Sequence, residues 1–95
     1  MGKLGSFDIP GLLMWFNSLD HRPFHFHAKK TGKWELRIFF LECSEGLLAY
    51  EAKWSKPKGR GPSARDLRLI LDQVLRHREE LLKEWESKVK TEVQP

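Results

Sequence analysis

The sequence predicts an α+β fold: a four-stranded antiparallel meander with one face covered by a carboxy-terminal helix. Three observations predict it. Segments 24–28, 33–42 and 47–54 alternate apolar and polar residues with the period of two that a half-buried strand requires. Short stretches that carry Thr31-Gly32 and Ser44-Glu45-Gly46 separate them. One stripe of apolar residues at helical spacing, from Leu67 to Val89, then closes the chain.

The 95 residues, with four tryptophans and 40% hydrophobic content, suffice for one core and not for two, so a single domain over 1–95 is expected. Residues 1–6 read as a loose leader with nothing to anchor a core, and 91–95 as a frayed end. No apolar run approaches the roughly 20 residues of a membrane span. The amino terminus lacks the basic, apolar and small-residue pattern of a secretory signal, so the expectation is a cytoplasmic protein with no membrane partner. The single cysteine, Cys43, excludes an intrachain disulfide and any multi-cysteine zinc site. Lys and Arg number 17 against 13 Asp and Glu, a mild net charge of +4 concentrated in residues 53 to 68.

In order, Ile9 to Phe16 is an apolar run of strand length that starts at Pro10 and Gly11. Leu12, Met14 and Phe16 share one face of it and leave Leu13 and Trp15 on the other. Asn17 to Asp20 reads as a turn. A second strand follows Pro23, with Phe24, Phe26 and Ala28 on one face and His25 and His27 on the other. Matching apolar faces with Trp34, Leu36, Ile38 and Phe40 pairs Ala28 with Trp34 and Phe26 with Leu36, through a three-residue loop Lys30-Thr31-Gly32. A second hairpin, turning at Cys43 to Gly46, pairs Phe40 with Leu48 and opposes Arg37 to Glu51 and Glu35 to Lys53. Two polar rows follow, His27-Glu35-Lys53 and His25-Arg37-Glu51.

Residues 55–62, SKPKGRGP, form a basic loop. Ser63 supplies an N-cap, with Asp66 three residues on in the manner of a capping box. The helical stripe comprises Leu67, Leu71, Val74, Leu81, Leu82, Trp85 and Val89. It weakens from Arg76 to Glu79, where a kink or a break near His77 is expected.

The histidines are the chemistry-bearing residues. His25 and His27 on one strand face would hold their Cα atoms roughly 6.5–7 Å apart, within reach of one shared ligand. His21 lies just before them, and His77 with Glu80 makes an i, i+3 pair on the helix. Three imidazoles and a carboxylate suit zinc. An H-x-H pair without a second motif is a weak metal signal, and no cofactor is expected; a bound metal would sit on His25 and His27. The plainer reading is a polar outer sheet face whose imidazoles pair with neighbouring charges. An exposed Leu13 and Trp15 beside that face suggest a contact surface, with another subunit as the simplest partner. Lys53, Lys56, Lys58, Arg60, Arg65 and Arg68, with Trp54 at the edge, are the residues suited to a phosphate backbone.

The run Gly11 to Phe16, the segment Asp20-His21-Arg22-Pro23-Phe24-His25-Phe26-His27 and the helix His77-Arg78-Glu79-Glu80-Leu81-Leu82-Lys83-Glu84-Trp85 resemble those of a family of small bacterial proteins of unknown function. Members show H-x-P-P-H-F-H, so Phe24 stands where the second proline would be. The resemblance implies a small protein encoded beside another, in an arrangement similar to toxin-antitoxin pairs. It carries His21, His25, His27, His77 and Glu80 over as the candidate site. The functional expectation is therefore a non-catalytic binding module that takes a protein partner and, through the basic residues, nucleic acid. The alternative is a histidine-cluster nuclease or other hydrolase, with or without metal.

Overall fold

Among the described residues, five antiparallel strands follow one another across a single sheet in chain order, and two helices follow the last of them. A computed structural model describes residues 2–17, 24–55 and 61–89. The strands are β1 (Gly2–Lys3), β2 (Leu13–Phe16), β3 (Phe26–Lys30), β4 (Trp34–Ile38) and β5 (Tyr50–Ser55), and the helices are α1 (Ala64–Arg76) and α2 (Arg78–Lys88). The four-stranded meander expected from the sequence is β2 to β5. The added strand is β1.

That strand corrects the reading of residues 1–6 as loose. Gly2 and Lys3 pair with Phe16 and Trp15, the Leu4 N–H donates to the Met14 carbonyl at 2.9 Å, and Leu4 is buried. Glu84 on α2 holds the same segment by accepting from the Gly5 N–H (2.6 Å), the Ser6 N–H (3.0 Å) and the Ser6 hydroxyl (2.6 Å). Lys88 donates to the Lys3 carbonyl at 2.8 Å and to Glu84 at 2.6 Å. The anchors on α2 lie 78 to 85 residues away, so no local pattern reveals them.

Alternation sorts β2 as expected: Leu12, Met14 and Phe16 are buried while Leu13 is 54% exposed. The strand is shorter than the apolar run because Gly11, at φ +90°, closes a turn in which the Leu12 N–H donates to the Ile9 carbonyl. A side chain at that φ is disfavoured, which suits glycine.

The β3–β4 register differs from expectation by two residues. Ala28 opposes Leu36, Phe26 opposes Ile38 and His27 opposes Arg37, around a loop of Thr31, Gly32 and Lys33 closed by the Lys33 N–H to the Lys30 carbonyl at 2.8 Å. A slip of two keeps every side chain on its own face, so the hydrophobic pattern is blind to it. Gly32 holds the left-handed position, φ +76°. The β4–β5 register is the expected one at Arg37↔Glu51, Ile38↔Tyr50 and Leu36↔Ala52. It then breaks at a bulge that opposes Glu35 to Trp54 and leaves Lys53 over. The Lys53 ammonium still reaches Glu35 at 3.5 Å.

Between these strands Ser44 and Leu47 exchange two backbone hydrogen bonds across Glu45 and Gly46. Cys43 is buried there, donating toward the Phe39 carbonyl (3.5 Å) and accepting from the Ala49 N–H (3.3 Å). Burial pushes its thiol pKa up, which keeps it a thiol rather than a reactive thiolate.

Ser63 caps α1 by accepting from the Asp66 N–H at 3.0 Å. The Asp66 carboxylate turns instead to Lys30, 3.5 Å away. The expected break falls at His77, whose φ of −118° separates the helices while the His77 N–H still reaches the Gln73 carbonyl. The buried stripe is Ile70, Val74, Leu81, Trp85 and Val89; Leu67, Leu71 and Leu82 are only partly buried flanks. Ile70, absent from the expected stripe, is fully buried. These residues close the core over Phe16, Phe26, Leu36, Ile38 and Phe40.

Candidate functional site

The face of the sheet away from the helices carries His27 at its centre. Neighbouring strands place Trp15 directly opposite it, and the two rings stack at 5.2 Å with planes 14° apart. The indole Nε1–H donates to Asn17 Oδ1 at 3.1 Å. An indole only donates, so this bond fixes which end of the amide is oxygen. The other end, Asn17 Nδ2, then meets His27 Nε2 at 3.3 Å as a donor. Accepting that bond requires a lone pair on Nε2 and leaves the ring proton on Nδ1. Nδ1 in turn faces Glu35 Oε2 at 3.9 Å.

His25 meets His27 edge to face at 5.1 Å and lies against Phe39 (5.8 Å) and Trp85 (5.7 Å). Both imidazoles are buried, His25 6% and His27 3% exposed. The expectation of a polar outer face whose imidazoles pair with neighbouring charges is corrected for His25, which lies against Phe39, one residue past β4, and Trp85 of α2, while Trp15 of β2 covers His27. Trp15 is likewise half-buried rather than exposed, because it lies on His27. Leu13, opposite Lys29, is the residue that projects.

The remaining candidates lie elsewhere. His77 Nδ1 and Glu80 Oε1 are 2.5 Å apart at the break between the helices. The His77 ring stacks on Phe7, which packs edge-on against the core ring of Phe26. That places the pair over the amino-terminal segment rather than with His25 and His27. His21 lies outside the described residues, as do Lys56, Lys58 and Arg60. The reading of the Trp54 ring as a stacking platform lies outside them too. Lys53 is engaged with Glu35, while Arg65 and Arg68 are exposed on the first turns of α1. Among the described residues no three His, Cys, Asp or Glu side chains gather as a metal set, so His25 and His27 would need a ligand from beyond them.

Sequence reasoning missed Asn17. It ends an apolar strand and reads as the first residue of a turn, and only the register of β2 against β3 shows that its amide reaches an imidazole. Phe39 was missed for a related reason: the two-residue slip brings it, not Arg37, beside His25.

Chemically, a buried imidazole with a fixed tautomer and an aromatic lid is suited to holding a surface rigid. The charged groups around it are already paired, Arg37 with Glu51 at 2.8 Å and Lys53 with Glu35. No curated protein and no solved structure matches the chain. The model of one family matches residues 11–86, which runs from β2 into α2 and includes the histidine segment, and the chain thus belongs to the family described as a domain of unknown function, DUF4160.

Proposed function

We propose that the chain is a non-catalytic protein-binding module, one half of a two-component bacterial system, which engages its partner through Leu13 and the Trp15 edge of the histidine face. The observation that carries this reading is the exposed Leu13 beside an indole held flat by His27 and Asn17. An aromatic anchor immobilised before binding loses little conformational entropy on association, and such residues dominate interface energies. The burial of His25 and His27 supports a supporting role for them in preference to an attacking one. The two-component setting extends the likeness to small proteins encoded in pairs.

The experiment is purification from cells that also express the neighbouring gene product, followed by metal analysis and incubation with RNA and DNA. The expected result is a stoichiometric complex of the two proteins and intact nucleic acid. Stoichiometric metal together with cleavage abolished in a folded His25→Ala variant would establish the rival, a histidine-dependent nuclease. The carboxylate of Glu35, 3.9 Å from His27, is the feature of the site that such an enzyme would use.

A further inference from the structure

The outer edge of β5 carries a second surface, away from Leu13 and Trp15. β5 is the last strand of the sheet, and among the described residues nothing pairs with its far side. The Phe39 N–H donates to the Ala49 carbonyl at 2.9 Å. Peptide groups alternate inward and outward along an antiparallel strand, so those of Ala49 and Glu51 face β4 while those of Tyr50 and Ala52 point away from the sheet. Glu51, Ala52 and Lys53 are all exposed. A strand in that state is a template for another strand.

We infer that this edge pairs with the same edge of a second copy, antiparallel about a two-fold axis at Ala52. The charges select both the occupant and the register. An axis at Ala52 lets the two Ala52 residues exchange their outward N–H and C=O groups, and it opposes Glu51 of each copy to Lys53 of the other. An axis at Glu51 would set two carboxylates face to face, and one at Tyr50 would oppose Glu51 to Ala49 and Lys53 to Leu47. With the axis at Ala52, one row of alternating charge crosses the interface: Arg37, Glu51, then Lys53 and Glu35 of the second copy. Its intrachain steps already exist, at 2.8 Å for Arg37 with Glu51 and 3.5 Å for Lys53 with Glu35. On the opposite face Tyr50, 40% exposed in a cleft it shares with Leu67 and Leu71 of α1, and the exposed Ala52 lie along the edge, and the second copy continues that face. The bulge at Lys53 ends the ladder, so the contact is short and the dimer weak.

The test is sedimentation equilibrium over a wide concentration range on wild type, Glu51→Lys and Lys53→Glu, each checked for fold by circular dichroism. Wild type reversibly dimerises. Each variant alone opposes like charges twice and is expected to weaken the dimer by about tenfold or more. An equimolar mixture of the two variants restores both opposite-charge pairs and regains the wild-type affinity. The Ala52 amide of wild type, followed by hydrogen exchange, becomes more protected as concentration rises, a measurement that needs no variant. Four results overturn the inference: a wild type monomeric throughout, variants that dimerise alone as wild type does, a mixture that fails to associate, or Ala52 protection that appears only when a different protein is added.

Discussion

Trp15 lies flat on His27 across two neighbouring strands, ring centroids 5.2 Å apart, with Asn17 bonded to both. The pair converts a histidine face into a rigid aromatic one. Trp15→Ala removes the stacking contact and opens the cover over His27, and it is expected to cost about 2–4 kcal/mol of stability. His27→Phe, which keeps a ring in place, is expected to cost about half as much or less. Urea unfolding of both variants checks the order; an equal loss would mean that hydrogen bonding, not stacking, dominates.

Glu84 ties α2 to the amino-terminal segment and makes stability depend on acidity. Burial pushes its carboxyl pKa up, but bonds from Lys88, Ser6 and the Gly5 N–H outweigh that and hold it below the usual glutamate value. A depressed folded pKa means stability that is present above the unfolded value and is lost as pH falls through the folded one. Wild type should therefore lose stability through the acid range faster than Glu84→Gln, measured by urea unfolding at stepped pH. At neutral pH the Gln variant is expected to be about 1–3 kcal/mol less stable, because donors from Gly5, Ser6 and Lys88 lose a charged acceptor.

Ile70 faces the core although its neighbours Leu67 and Leu71 suggest a different stripe. Ile70→Ala is expected to cost about 2–5 kcal/mol, whereas Leu69→Ala, on a 40% exposed side chain, should stay within about 0.5 kcal/mol. Thermal unfolding distinguishes them.

Gly32 sits at φ +76° with open space around it. Gly32→Ala meets no steric obstacle, so its cost is conformational, about 1–2 kcal/mol. A loss well above that, measured by urea unfolding, would indicate that the β3–β4 loop has rearranged.

The sequence carries the alternation of β2 to β5, the break at His77 and the Ser63 cap because each is a local pattern. Period two fixes faces, glycine marks turns, and a serine before an apolar run marks a helix start. The register of β3 against β4 escaped because a slip of two residues changes no face, and with it went the partner of His27: Arg37 opposes it, and Glu35 approaches on the diagonal. β1 escaped because Glu84 and Lys88, which hold it, belong to another element. Of the candidate site, His25 and His27 were legible as neighbours, but their burial was not: it depends on Trp15, Phe39 and Trp85 arriving from three separate parts of the chain. His77 and Glu80 share a helix pair and are bonded as their spacing implies, at a place that packs on Phe7.

The measurement closest to the central claim is the affinity of the co-expressed neighbouring gene product for wild type and for Leu13→Asp, both verified as folded. Leu13 is exposed and carries none of the sheet's hydrophobic core, so the substitution spares the fold. A binding surface centred on Leu13 and Trp15 predicts a stoichiometric complex with wild type that Leu13→Asp weakens by about tenfold or more. Equal affinity for the two proteins would contradict it.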